Sequence, residues 1–311
     1  MERQRSTAVV LATVVLLGLS GLSRDARAFC RSTTCRGDCP TDGQGCPSSG
    51  FPLSWPRSCI GFNLQRNGTQ SLDLALVRVA IQQSFQAWSD VPCPDAGGKF
   101  ATMTFSELED VACDKSQYNA RGANVNVILF KDDDWTYKGI DGTLAKTAVT
   151  YDDRTGEIFD ADIEINAAFN DLTVGDAKVA YDLRAIMTHE AGHFIGLAHS
   201  ADPNASMYAT YAPGTSAGRV LSGDDIKAVC AVYPPGRRGA CDTTPRGGLG
   251  ATCADPAKSG CAVAPAAGTA GANGAGARGG NGSPPVSALA GCSAFAALAL
   301  LSRRRRRRFR L

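Results

Sequence analysis

The chain has 311 residues, 44% of them hydrophobic, and a formal net charge of +2. That charge sits at the ends: Arg3, Arg5, Arg24 and Arg27 open the chain against Glu2 and Asp25, and seven arginines lie between Arg303 and Arg310, so the body between carries about −7. An acidic body excludes a polyanion-binding function, and no dinucleotide loop, phosphate loop or serine nucleophile elbow is present.

Residues 1–28 read as a secretory signal: a basic start, an apolar run from Thr7 to Leu22 and an Ala26-Arg27-Ala28 cleavage site. Export implies an oxidising compartment in which the twelve cysteines can pair. Four of them, Cys30, Cys35, Cys39 and Cys46, crowd into residues 29–50, which predicts a small stapled extension without a core of its own. The main domain is expected over 51–236, beginning near Phe51-Pro52-Leu53-Ser54-Trp55. Ser58–Leu64 supplies a first strand. Leu72–Ser89 reads as a helix, with Leu74, Val77, Ile81, Phe85 and Trp88 spaced by three and four as a core stripe. Strands are expected over Phe100–Phe105, Asn124–Phe130, Lys146–Tyr151 and Glu157–Ile165, the last two joined by an Asp152–Gly156 turn. Cys93 and Cys113 flank the first of these and are candidates to pair. The acids Asp132, Asp133 and Asp134 read as a surface loop.

All three histidines follow within eleven positions, in His189-Glu190-Ala191-Gly192-His193-Phe194-Ile195-Gly196-Leu197-Ala198-His199. On a helix, His189 and His193 share one face one turn apart, so both imidazoles can reach one metal ion. Glu190 is rotated by about 100° from His189, poorly placed as a ligand but able to reach a water on that ion. Gly196 lets the helix stop and the chain turn back to bring in His199. Three histidines leave a fourth zinc position open, the arrangement of a catalytic site. Such a zinc supplies an activated water, and Glu190 is the expected general base and acid. Asp182 is the expected N-cap of this helix, and Leu183, Ile186, Met187 and Phe194 its buried stripe.

This H-E-x-x-H-x-x-G-x-x-H run, with Met207 placed as a Met-turn in Ser206-Met207-Tyr208 and Ser200 directly after the third histidine, resembles the metzincins and, more narrowly, the matrixin-type peptidases. The stretch Leu221-Ser222-Gly223-Asp224-Asp225-Ile226, ending in Tyr233-Pro234, is similar to their C-terminal helix. The resemblance implies an α+β fold: a twisted, mostly parallel mixed sheet, two long helices, a Met-turn and a C-terminal helix in a small lower lobe. It implies one catalytic zinc on His189, His193 and His199, with Glu190 catalytic, and extended peptide substrates along an edge strand at Leu144–Val149. The pocket for the residue after the cut is expected near Tyr208, Tyr211 and Pro213. With no histidines left over, the family's second, structural zinc is expected to be absent. Asp160 and Asp162 resemble acids beside the family's calcium sites, but two acids do not make the six or more oxygens that calcium needs, and ordinary solvated acids remain the alternative. Pro56-Arg57-Ser58-Cys59 faintly resembles the family's latency switch; too little chain precedes it for a prodomain, and a disulfide is expected for Cys59 instead.

Residues 237–285 read as a cysteine-containing and then Gly/Ala/Pro-rich linker. Residues 286–311 combine Gly291-Cys292-Ser293, a sixteen-residue apolar run and Arg303–Arg308. The run is shorter than the ~20 residues of a full span, and the segment resembles the MYXO-CTERM sorting tails of myxobacterial surface proteins, a transient or processed anchor. The sequence thus predicts an exported monomeric zinc endopeptidase, extracellular or at the cell surface in the outer envelope, with no nucleic-acid partner. The alternative is a non-catalytic adhesion module on the same fold, for which Glu190 would have no chemical need.

Overall fold

The computed structural model describes residues 28–137 and 143–250, together with the backbone of 307–308. The expected signal, most of the linker, Cys292 and the apolar run lie outside the described residues. In chain order the elements are β1 (Cys30–Arg31), β2 (Cys59–Leu64), α1 (Leu74–Ser89), β3 (Pro92–Cys93), β4 (Lys99–Phe100), β5 (Thr104–Glu107), β6 (Val127–Lys131), β7 (Ala145–Tyr151), β8 (Ile158–Asn166), β9 (Leu172–Thr173), β10 (Tyr181–Asp182), α2 (Leu183–Phe194), β11 (Leu197–Ala198), α3 (Gly223–Val232) and β12 (Arg307–Arg308).

The main sheet runs β7-β8-β6-β2-β5, with β8, β6, β2 and β5 parallel and β7 antiparallel to β8. Beyond β7, β12 pairs antiparallel with Val149 and Ala148. This is the mixed, mostly parallel α+β arrangement expected from the sequence. One face carries α1 and α2. Asp73 caps α1 by accepting from the Ala75 and Leu76 amides, so the helix starts two residues later than the periodicity predicts. Val77, Ile81, Phe85 and Trp88 of α1 are buried with Leu183, Ile186, Met187 and Phe194 of α2 in one core. The Trp88 indole donates to the Thr188 carbonyl, and Phe85 meets Phe194 edge-on with centroids 5.2 Å apart. The two long helices are thereby locked together beneath the sheet.

The strand expected over Phe100–Phe105 is two short pieces, β4 and β5. Between them Ala101 and Thr102 donate to the carbonyls of Val91 and Tyr233 and leave the sheet. The strand expected from Asn124 begins only at Val127, because Asn124 and Asn126 spend their side chains on loop and strand backbone: Asn126 donates to the Gly61 carbonyl and accepts from the Ala161 amide.

Cys93 does not pair with Cys113. It is bonded to Cys230 of α3, tying the lower lobe to the end of α1, and Cys113 is disulfide-bonded elsewhere. Proximity in sequence was the wrong guide, because β3 turns towards α3 while Cys113 packs with Val111, Val125, Val127 and Leu129 on the opposite face. Cys59 is bonded to Cys241, as a disulfide reading requires. That bond, and a backbone bridge from Asn124 to Leu249, fold residues 237–250 back along the domain. The N-terminal extension carries Cys30–Cys46 and Cys35–Cys39.

Peptide mapping of unreduced protein should recover the Cys59–Cys241 and Cys93–Cys230 cross-links. Because each closes a loop of more than a hundred residues, replacing either pair by serine should cost about 2–5 kcal/mol in denaturant unfolding.

Candidate active site

Helix α2 starts at Asp182, whose carboxylate accepts from the Ala185 amide at 2.7 Å and is clamped by Arg219. Arg219 also bonds Asp176, so the N-terminus of α2 is pinned to the segment that follows the Met-turn. Two and a half turns on, His189, Glu190 and His193 are all buried at the end of the helix. Ile195 and Gly196 then end it. Gly196 has φ +92°, and a Cβ there would stand 2.5 Å from the Leu53 carbonyl oxygen, so both conformation and space require glycine.

The turn delivers His199 to the other two histidines. The Nε2 atoms of His189 and His193 are 3.1 Å apart, and those of His193 and His199 3.3 Å. Each helical imidazole has its Nδ1 against a carbonyl: His189 against Ser206 at 2.6 Å and His193 against Leu197 at 2.9 Å. Those carbonyls put the ring proton on Nδ1 and leave the lone pair on Nε2. Burial and the neighbouring rings hold His189 well below the ordinary imidazole range, and burial with the charge of His199 takes His193 down to about 3. The two helical rings are therefore neutral and turn their Nε2 lone pairs towards the centre of the cluster.

These features fit a divalent ion of the zinc type. Tetrahedral geometry with bonds of about 2.0–2.1 Å separates nitrogens by about 3.3–3.4 Å, close to the spacing found. Among the described residues the cluster suited to a metal is these three side chains alone. Beside it Glu190 is fully buried. One carboxylate oxygen, Oε2, accepts from the Thr147 hydroxyl, while Oε1 has no protein partner. Burial pushes this carboxyl up to about 8 although the Thr147 bonds pull it down. A cation at the trio is the charge that favours the ionised form.

Met207 packs against α2 at the residue before His193. Gly192 of α2 faces it so closely that a Cβ would come 2.1 Å from the Met207 sulfur. The Met-turn is held by Asp225 of α3, which accepts from the amides of Ser206 at 2.8 Å, Met207 at 3.1 Å and Ser222 at 2.8 Å. Ser222 caps α3 and completes a capping box with Asp225. Ser200 donates to Asp224, and its amide bonds the Met207 carbonyl. The sequence places Asp224 and Asp225 only within the stretch similar to a C-terminal helix and gives no role to Thr147 or Gly192; no local pattern singles these two out.

A cleft of about 220 Å³ opens beside His189, lined by Ile186, Tyr208, Tyr211, Ala212, Thr215 and Gly218 among others, none of them charged. Tyr208 and Tyr211 stand where expected, but Pro213 is not part of the wall. No residue of the N-terminal extension lines the cleft.

Asp160 and Asp162 are not solvated acids: each is 1% exposed. Asp162 accepts from the amides of Val127 and Gln117, and Glu164 from the Ser116 amide and the Tyr137 hydroxyl. Lys146, opposite Glu164 in the β7–β8 register, lies over the Tyr137 ring.

The matrixin family model matches residues 54–234. The chain is similar to neutrophil collagenase of Homo sapiens, 28% identical over 191 residues that make up 60% of this chain and 36% of the relative. It is 31% identical to interstitial collagenase of Bos taurus over 58% of this chain and 33% of that one. It is 26% identical to metalloendoproteinase 1-MMP of Arabidopsis thaliana over 58% and 44%. The chain thus spans less than half the length of these relatives. Among the described residues no helix is long and apolar enough to cross a membrane.

Asp225→Ala should strand two buried amides, those of Ser206 and Met207, at about 1–3 kcal/mol each before relaxation, and free the part-buried Ser222 amide. Thermal melts should fall, and because Ser206 orients His189, zinc affinity measured by chelator competition should drop about 10-fold or more. Unchanged zinc affinity would uncouple the Asp225 anchor from the trio.

Proposed function

Because the chain belongs to the matrixin family, we propose that it is a zinc-dependent endopeptidase, exported and acting outside the cell or at its surface on extended peptide and protein substrates. The observation that carries the chemistry is the buried Glu190 carboxylate, one oxygen tied and the other unpartnered, beside three converging imidazole nitrogens. In this reading His189, His193 and His199 hold one zinc. Bound there, the ion supplies a water of lowered pKa and a positive charge for the scissile carbonyl oxygen. Glu190 Oε1 takes the proton of the attacking water and returns it to the leaving amine nitrogen.

The substrate backbone adds antiparallel to β7 along Leu144–Val149, where main-chain bonds hold it and pockets read alternate side chains. At Ala148 and Val149 that is the position of β12, so substrate and this strand exclude each other there. The side chain following the cut enters the uncharged cleft beside His189. A neutral, mostly apolar side chain fits it, since burying a charge against that lining would go uncompensated. A monomer suffices, because every group named comes from one chain.

Glu190→Gln keeps the size of the side chain and removes the base. It should retain one zinc per chain and lose at least about 10²–10⁴-fold in kcat. Equal processing of a peptide library by wild type and variant would leave only the adhesion-module reading. Profiling of cut sites in a proteome digest should show apolar residues enriched directly after the cut and Asp, Glu, Lys and Arg depleted; a preference for charge there would place that side chain outside the cleft.

A further inference from the structure

Thr147 is buried in the middle of β7. Side chains alternate along a strand, and Ala145, Thr147 and Val149 face the helices, with Ala145 and Val149 in the main core. Thr147 is the polar member of that inward row. Its hydroxyl lies against two atoms of one residue: it bonds Glu190 Oε2, and the Glu190 carbonyl oxygen is 3.2 Å away. A hydroxyl has a single proton and a carboxylate is the stronger acceptor, so the bond to Oε2 dominates.

We propose that Thr147 is a positioning residue for the reaction, fixing the rotation of the Glu190 carboxylate so that Oε1 alone faces the histidine trio. The inference rests on the assignment of Glu190 as the base. A glutamate head rotates freely about its last bond unless something holds one oxygen. Glu190 is fully buried, and no other side chain is bonded to its carboxylate among the described residues. Without the hydroxyl both oxygens would be buried without a protein partner, and the head could turn away from the attacking water. Proton transfer needs heavy atoms within about 2.6–3.2 Å, and small misplacements of reacting groups cost rate steeply. Thr147 also couples the base to the substrate: it sits in the strand along which the peptide is proposed to lie, so a peptide that seats against β7 registers directly with the oxygen that receives the proton.

The test uses the zinc-loaded protein with Thr147→Val, which keeps the shape and removes the donor, and Thr147→Ser, which keeps the donor. T147V should lower kcat about 10- to 100-fold with KM changed less than about 3-fold, and T147S should restore kcat to within about 3-fold of wild type. Two readouts do not depend on turnover. Zinc affinity by chelator competition should be the same in all three proteins, and a peptide hydroxamate, which needs Glu190 as a hydrogen-bond acceptor, should bind T147V about 10-fold more weakly by calorimetry. If T147V fails to load zinc, T147A serves as the donor-free variant. An unchanged kcat in the donor-free variant, failure of T147S to rescue, or loss confined to zinc affinity and thermal stability would each overturn the proposal. A wild-type protein without peptidase activity would instead overturn the function it rests on.

Discussion

Three imidazole Nε2 atoms converge on one spot, in a place from which water is largely excluded, and the rest of the site exists to hold them there. Each neutral ring must keep its proton on the far nitrogen. The chain achieves this for His189 and His193 with two backbone carbonyls: Ser206 in the Met-turn and Leu197 in the loop after α2. Both acceptors lie outside the helix that carries the histidines, so orienting the rings requires the Met-turn and the post-helix loop to be rigid in their own right. That requirement explains why buried bonds far from the trio converge on these two segments.

The Met-turn is rigid because a carboxylate inside the lower lobe accepts two of its amides and one from the start of α3. Helix α3 is in turn fixed to β3 by Cys93–Cys230 and capped on itself by Ser222. The contact between Met207 and Gly192 closes the chain of support, since a side chain at 192 would displace either the buried Met207 side chain or α2 itself from the turn that orients its first histidine. Burial of the helix on its other side, against Trp88 and Phe85, stops it from yielding to that push.

How much of this is visible in the sequence follows from the range of each interaction. The trio, the helix stop at Gly196 and the cap at Asp182 are set by spacings of three to six residues, and each stands where the spacing puts it. The core stripes of α1 and α2 are legible for the same reason. Cys93 was misassigned because its partner is 137 residues away and only the docking of α3 brings them together. Asp160 and Asp162 look like solvated acids because an alternating strand suggests a wet face; both are buried, and Asp162 takes one amide from the loop residue Gln117 and one from Val127 at the start of β6. Thr147 could not be singled out, since a threonine in a strand is ordinary and its meaning comes only from which helix residue lies opposite.

His199 poses a problem that the helix cannot solve, because it is the imidazole outside the regular element. A loop residue is free to swing unless backbone bonds fix its neighbours on both sides. On its N-terminal side, β1 pairs with β11 so that Cys30 lies opposite Ala198, and Ser32 bonds the Gly196 and Leu197 carbonyls with its amide and hydroxyl. On its C-terminal side, the Ser200 amide bonds the Met207 carbonyl and its hydroxyl bonds Asp224. Asp224 also accepts from the amides of Ala28 and Phe29. The same few residues at the start of the described chain therefore brace His199 from both directions. Cys30–Cys46 fastens that start to the rest of the extension. A short segment with no core of its own is thus part of the framework of the third imidazole, and loosening it would release the one ring of the trio that α2 does not carry.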